Sequence, residues 1–266
     1  MSSRFSMVIF GGGDAGHTAL EFATEGIRLA KLRRPASELK LVIIPTARFS
    51  AQSYDRAVRW AIETFEELGA ECRVLTPFAA PPPADAADML AEADAIYMPG
   101  GSTIQALKYW DQYNLTRPIV EAVQRGVTVI GISAGIVAWF EYMFTGSASF
   151  LAKPGEPWDY EIAPALGILP GCCCPHAGDD VFNDNHQPRY EGTGTTRREL
   201  FQARLKSHPI RMNGVAVDGF TALRITGDTV TVLGLGMVTL HLWENDKLKI
   251  TQFRAGDGFN LTTLSV

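Results

Sequence analysis

Short apolar runs that stop at glycine or proline dominate the first half of the chain, and they limit the fold more than any other feature. Such runs predict strands at residues 6–10, 40–44, 72–75, 95–98 and 127–131. Helical spacing of apolar residues and terminal signals predict helices at 55–68, 84–93, 103–112 and 118–126. This alternation is typical of a mostly parallel central sheet with helices on both faces, so we predict an α/β fold.

The sequence pattern changes in the second half of the chain. After residue 214 the apolar period drops to two, and Gly227-Asp228 and Asn245-Asp246 read as hairpin turns. These strands are expected to be antiparallel and to complete the sheet near the C-terminus. Residues 143–195 are poor in regular pattern, which is typical of functional loops. Because no linker-like stretch divides the chain, we expect a single α/β domain over residues 1–266.

Composition excludes several classes of protein. Hydrophobic residues make up 46% and charged residues 20%, as in a globular enzyme, and the net charge of −5 predicts neither nucleic acid nor membrane as a partner. No apolar run reaches the roughly 18 residues of a membrane span, and no secretory signal opens the sequence, so we expect a cytoplasmic protein. Cys72 and the run Cys172–Cys174 fit neither a zinc site nor a disulfide framework. We therefore expect buried thiols, with no metal or cofactor.

The strongest chemical signal is the pentapeptide at residues 131–135, which reads Gly-Ile-Ser-Ala-Gly. It follows a predicted strand and precedes an apolar run at 136–142 that we predict to be helical. A sharp turn from strand to helix presents a serine oxygen clear of the sheet, and small neighbours permit the strained backbone. Ser133 is therefore the candidate nucleophile.

A second glycine turn, at residues 99–102, follows the preceding predicted strand, 95–98, at its carboxyl end. The carboxyl ends of parallel strands share one crevice, so the N–H groups of Gly101 and Ala134 can form an oxyanion hole, with Gly100 as a substrate contact. The plainer alternative is a tight turn without a ligand. A third turn, Gly11-Gly12-Gly13, lacks the spacing of a dinucleotide site, and we interpret it as packing or lining of the crevice.

Several motifs occur in a fixed order along almost the whole chain. They are the GGG after the first strand, IYMPGGSTIQAL (96–107), GISAGIVAWFE (131–141), LGILPGCCCPH (166–176) and GVAVDGFTAL (214–223). Together they resemble peptidase E (aspartyl dipeptidase), cyanophycinase and their relatives, whose fold is like that of class I glutamine amidotransferases. The resemblance implies that Ser133 is the nucleophile and His176 its general base.

The chain has four other histidines, namely His17, His186, His208 and His241, which we interpret as ordinary surface or core residues. His176 is favoured because Pro175 fixes its entry and its segment is loop-like. A serine hydroxyl is a poor nucleophile until a base within hydrogen-bond reach removes its proton, and His176 is expected to be that base.

The third member of the triad departs from the family pattern. The matching motif reads Val217-Asp218-Gly219, so glycine occupies the position of the usual acid. We expect Asp218 to take that role. The alternatives lie in the loop after His176: Asp179, Asp180 and Glu191.

Residues 192–205 look like a peptidase E segment in which an arginine pairs with the carboxylate of an N-terminal aspartate, and Arg197 matches that arginine. The alternative is an amphipathic helix with solvated arginines. We therefore expect a serine peptidase that acts on short peptides with an acidic N-terminal residue, through an acyl-enzyme. The rival functions are a cyanophycinase-like or broader exopeptidase or amidase, and a catalytically weak binding protein. A homodimer is compatible with these expectations.

Overall fold

The computed structural model describes residues 5–13, 17–35, 38–151, 159–179 and 194–266. Its strands are β1 (Ser6–Phe10), β2 (Leu39–Ile43), β3 (Ala70–Val74), β4 (Ala95–Met98), β5 (Thr128–Ile132), β6 (Phe140–Thr145), β7 (Glu161–Pro164), β8 (Leu169–Pro175), β9 (Gly214–Val217), β10 (Thr221–Thr226), β11 (Thr229–Gly234), β12 (Val238–Glu244), β13 (Lys247–Phe253) and β14 (Gly258–Asn260). Its α-helices are α1 (His17–Arg33), α2 (Ala51–Glu67), α3 (Ala86–Glu92), α4 (Thr103–Gln112), α5 (Thr116–Gln124), α6 (Ala134–Val137) and α7 (Arg197–Ser207). Among these described helices, none has both the length and the apolar character needed to cross a bilayer.

Within the described ranges, the larger sheet has eight strands in the order β14-β11-β10-β1-β5-β4-β2-β3. The strands from β1 to β3 in that order pair in parallel, and β10, β11 and β14 add antiparallel pairs at the other side. This arrangement confirms the predicted parallel sheet with antiparallel strands from the C-terminal region.

Helices cover both faces of the larger sheet. Strand β1 is buried along its whole length, with Met7 and Ile9 in one core and Val8 and Phe10 in the other. The first core takes residues from α3, α4, α5 and α6, and the second takes residues from α1 and α2. A strand buried on both faces reads as a continuous apolar run, which explains why β1 was visible in the sequence.

A second sheet, of six strands among the described residues, corrects the sequence-based picture. Its order is β13-β12-β9-β8-β6-β7, with the β9-β8 and β8-β6 pairs parallel. Strands β7 and β8 and the second half of β6 lie in the stretch 143–195, which we expected to be irregular. The helix expected over 136–142 is also wrong, because α6 ends at Val137 and β6 begins at Phe140. Short apolar runs do not distinguish a buried strand from a buried helix.

The two hairpin turns are confirmed. Gly227-Asp228 joins β10 to β11, and Asn245-Asp246 joins β12 to β13. Asn245 and Asp246 have φ values of 48° and 65°, the positive values that a two-residue type I′ turn requires.

The segment from Val217 to Phe220 links the two sheets. Phe220 donates its N–H to the carbonyl of Gly12 at 2.8 Å, and Gly11 donates to the carbonyl of Thr221 at 3.0 Å. A Cβ atom on Gly11 would lie 2.5 Å from the carbonyl oxygen of Val217, so only glycine permits this approach. The carboxyl ends of β1 and β9 therefore meet, and each sheet contributes chain ends to the same crevice.

Candidate active site

Ser133 stands at the turn between β5 and α6. Its φ of 57° and ψ of −105° lie in a sparsely populated region for a non-glycine residue. Its N–H donates to the carbonyl of Phe10 at 3.0 Å, which ties the turn to the end of β1. Ser133 therefore occupies a strained, well-anchored turn at the edge of the larger sheet.

His176 lies at the end of β8, on the second sheet. Its Nε2 is 2.6 Å from the Oγ of Ser133, which is hydrogen-bond distance. The φ of His176 is 131°, a second strained non-glycine backbone at the site. The imidazole lies directly against Gly12, because a Cβ atom there would be 2.3 Å from Nδ1. The glycine turn after β1 thus lines the crevice and leaves space for the ring.

The other described imidazoles lie elsewhere. His208 bonds through Nδ1 with the backbone of Ile210, and His241 is completely buried beside the ring of Phe201, with centroids 5.3 Å apart. Burial lowers the pKa of His241 to about 4, so it is neutral at pH 7. The side chain of His17 and the whole of His186 lie outside the described residues.

Asp179 faces the other nitrogen of the His176 ring. Its Oδ2 lies 3.6 Å from Nδ1, and its N–H donates to the His176 carbonyl at 3.2 Å. Partial burial acts to raise the pKa of the Asp179 carboxyl. The interaction with His176 and the positive charge of Arg197 outweigh burial, so that the pKa lies below its usual value. Asp179 is therefore a carboxylate at neutral pH.

Asp218 has partners other than His176, in contrast to the expectation from sequence. Its Oδ1 accepts a hydrogen bond from Nη2 of Arg198 at 2.5 Å, and its Oδ2 accepts one from the N–H of Met237 at 3.1 Å. The carboxylate follows β9 but turns toward α7 and the start of β12. Sequence reasoning missed Arg198, since nothing in an Arg-Arg pair indicates which one will meet a carboxylate. Asp180 and Glu191 lie outside the described residues.

The glycine turn at 99–102 contacts Ser133. A Cβ atom on Gly100 would lie 3.0 Å from Cβ of Ser133 and 3.5 Å from its Oγ. Gly101 has a φ of 141° and packs against the carbonyl of Ala47. Ala134 is the first residue of α6, so its N–H has no acceptor within that helix. The two candidate oxyanion donors are therefore the N–H of Ala134, which follows Ser133, and the N–H of Gly101, which follows Gly100.

Arg197 begins α7, which is capped by Thr196. The backbone N–H of Arg197 donates to the carbonyl of Asp179 at 2.9 Å, which docks the helix on the loop after His176. Its guanidinium lies over the ring of Tyr160, 5.3 Å from the centroid, and its Nε is buried without a hydrogen-bond partner among the described residues. Arg197 is therefore packed against its neighbours, which differs from the amphipathic helix with solvated arginines that the sequence left as the alternative.

The cysteine run lies in β8, and all three thiols are fully buried, as expected. Cys172 and Cys174 face the core beneath α7, whereas Cys173 faces the core between the sheets. Burial raises the pKa of each thiol, so these cysteines are unreactive packing residues.

A serine oxygen and an imidazole in hydrogen-bond contact at a strand-to-helix turn define the class of serine hydrolases. The model of peptidase family S51 matches residues 7–233, so the chain belongs to this family of serine peptidases.

Curated relatives agree with this assignment. The chain is 30% identical over 189 residues to an uncharacterized peptidase, YgaJ, of Bacillus subtilis, with 71% of this chain and 70% of the relative covered. It is 28% identical over 220 residues to a probable alpha-aspartyl dipeptidase of Drosophila melanogaster, with 82% of each chain covered. It is also 28% identical over 216 residues to peptidase E of a Shewanella strain, with 81% of this chain and 83% of the relative covered.

Solved structures show the same fold. A peptidase from an acI-B1 Actinobacterium superposes with a TM-score of 0.67 at 19% identity, covering 97% of this chain and 98% of the other. A putative peptidase E of Listeria monocytogenes superposes with a TM-score of 0.55 at 17% identity, covering 87% and 99%. At these identities the likeness concerns the fold alone.

Proposed function

We propose that this protein is an exopeptidase that hydrolyses short peptides, with a preference for an acidic N-terminal residue, through an acyl-enzyme on Ser133. The observation that carries the proposal is the 2.6 Å contact between Oγ of Ser133 and Nε2 of His176. Similarity to the Drosophila and Shewanella relatives, a probable alpha-aspartyl dipeptidase and a peptidase E, supports the dipeptidase part of the proposal.

In this mechanism His176 Nε2 takes the proton of the Ser133 hydroxyl as Oγ attacks the peptide carbonyl. The N–H groups of Gly101 and Ala134 stabilise the resulting oxyanion, since fixed donors lose little energy in reorganising. The imidazolium then protonates the leaving amine. A water molecule, deprotonated by the same ring, releases the acyl group and regenerates the serine.

The preference for an acidic substrate rests on Arg197. A guanidinium presents a planar fork of N–H groups that matches the two oxygens of a carboxylate, and the hydrogen bonds between them become stronger as water is excluded. Its Nε is buried without a partner among the described residues, so an incoming carboxylate would supply a missing acceptor. Arg197 also docks beside Asp179, next to the proposed base.

A fluorophosphonate probe tests the nucleophile. Intact protein should be labelled on Ser133, as identified by mass spectrometry of the labelled peptide, because only an activated serine reacts. Ser133→Ala should abolish both labelling and peptide hydrolysis while thermal unfolding stays unchanged. Ser207→Ala, which removes an exposed hydroxyl at the end of α7, is the matched control and should label normally. An unlabelled intact protein would refute the proposal and favour the weak binding protein.

A dipeptide panel tests the specificity. Peptides with N-terminal Asp should be hydrolysed faster than their Asn counterparts, and Arg197→Met should remove the difference by raising KM for the Asp peptide. Arg204→Met, an exposed arginine on the same helix, is the control and should retain the preference. Equal rates on Asp and Asn peptides would favour a broader exopeptidase or amidase.

The compartment belongs to the proposal as well. All four cysteines are unpaired, the state that a reducing compartment maintains, and this supports a cytoplasmic location.

A further inference from the structure

The space beside Gly219 is filled by a carboxylate from another part of the chain. A Cβ atom built on Gly219 would lie 3.7 Å from Oδ1 of Asp179. Gly219 is the position where the family resemblance implies an acid, and the sequence has glycine there. The carboxylate of Asp179 therefore lies where a side chain from position 219 would project.

The same carboxylate faces the proposed base. Oδ2 of Asp179 lies 3.6 Å from Nδ1 of His176, and the backbone of Asp179 is hydrogen-bonded at both its N–H and its carbonyl. The N–H of Asp179 binds the His176 carbonyl, and its own carbonyl accepts from the N–H of Arg197. This distance is slightly longer than a hydrogen bond, and catalytic hydrogen bonds are often longer in the absence of substrate than in the substrate complex.

In this structure Asp218 does not compete with Asp179 for Nδ1 of His176. Its two oxygens are engaged by Arg198 and by the N–H of Met237, so that a bond to His176 would require it to give up a charge-assisted partner. Asp179 has no such competing hydrogen bond among the described residues.

We infer that Asp179 is the positioning carboxylate of this site, supplied by the loop after His176 in place of the side chain that Gly219 lacks. The inference rests on the proposed Ser133 and His176 pair. Asp179 accepts a hydrogen bond from Nδ1–H, which holds the tautomer with a free Nε2 and stabilises the imidazolium formed when Nε2 takes the serine proton. Asp179 itself stays ionised throughout.

The test compares three variants by the rate of fluorophosphonate labelling of Ser133 between pH 5 and 9. Asp179→Asn should slow labelling at pH 7 by about 10²-fold or more. It should also move the midpoint of the pH–rate profile to lower pH, because the imidazolium loses a nearby negative charge. Asp218→Asn should leave the profile in place. Combining Gly219→Asp with Asp179→Asn should restore at least a tenth of the lost rate, since a Cβ at position 219 would meet the Asp179 side chain at an ordinary 3.7 Å.

The outcomes separate this inference from the proposed function. If intact protein is labelled and Asp179→Asn reacts at the same rate with an unchanged profile, Asp179 has no positioning role. If Asp218→Asn alone shifts the profile, the acid is the residue first expected from the sequence. A slowed Asp179→Asn variant that Gly219→Asp does not rescue, and whose profile has not moved, would indicate a merely structural effect and overturn the inference. Absence of labelling in the intact protein would instead refute the proposed nucleophile.

Discussion

Replacing Gly12 with alanine is expected to disable the site through one added methyl group. The φ of Gly12 is 158°, a value that residues with a side chain rarely adopt, and the added carbon would also be crowded by the ring of His176. The new carbon would lie 2.3 Å from Nδ1 of His176 and 2.4 Å from Cε1. Ordinary contact begins near 3.4 Å, so the imidazole must retreat by 3.4 minus 2.3, or about 1.1 Å.

A displacement of that size is comparable with the tolerance of a catalytic hydrogen bond. Directed away from Ser133, it would lengthen the 2.6 Å contact to about 3.7 Å, beyond hydrogen-bond range. A misplacement of about 1 Å can reduce a rate by about 10²-fold, and overpacking of this kind destabilises a fold by about 1–3 kcal/mol.

The assay is the second-order rate constant for fluorophosphonate labelling, measured beside a thermal unfolding curve. Gly219→Ala is the control, because its methyl group would lie at an ordinary 3.7 Å from Oδ1 of Asp179. A Gly12→Ala protein that is folded and labelled at the rate of the intact protein would refute the reasoning. It would mean that the position of the His176 ring does not depend on its contact with residue 12.

Two further predictions concern the interior. Burial lowers the pKa of His241 from 6.5 to about 4, so between these pH values the unfolded chain binds a proton that the folded protein does not. The free energy of unfolding is therefore at its full value above pH 6.5 and falls as the pH approaches 4. The shift of 2.5 pKa units corresponds to a loss of about 3 kcal/mol. Urea unfolding of the intact protein at pH 7 and pH 4 should show this loss, and His241→Leu should reduce it; an unchanged pH dependence would contradict the assignment. Because burial keeps Cys172, Cys173 and Cys174 protonated, iodoacetamide at pH 8 should leave folded protein active, and alkylation of any of the three in mass spectra would contradict their burial.

Sequence patterns predicted the larger sheet well because its strands are short apolar runs bounded by glycine and proline. They predicted the turn at Ser133 for a related reason, since the residues that permit such a turn are small. The second sheet was missed because β8, apart from Leu169, consists of proline, glycine and cysteines, none of which signals a strand. Its residues are buried between two cores, so no alternation of polar and apolar side chains marks it.

The position of the acid was not predictable from the motif alone. The motif pointed to Asp218, at the end of a strand, as the acid. In the structure Asp218 instead bonds with Arg198, and the carboxylate that faces His176 is that of Asp179. Arg198 reaches Asp218 and donates a hydrogen bond to it because α7 packs beside β8 and β9, a tertiary contact that no local sequence pattern encodes. The sequence could name Asp179 among the alternatives, and only the folded loop brings it near Nδ1.

The nucleophile and its base belong to different sheets, and this has a consequence for the chain during its synthesis. Ser133 follows β5, which pairs with β1 and β4, whereas His176 follows β8, whose parallel partner β9 begins only at Gly214. A nascent polypeptide released before that point would be catalytically latent. Peptidase activity would then appear late, as a property of the finished molecule alone.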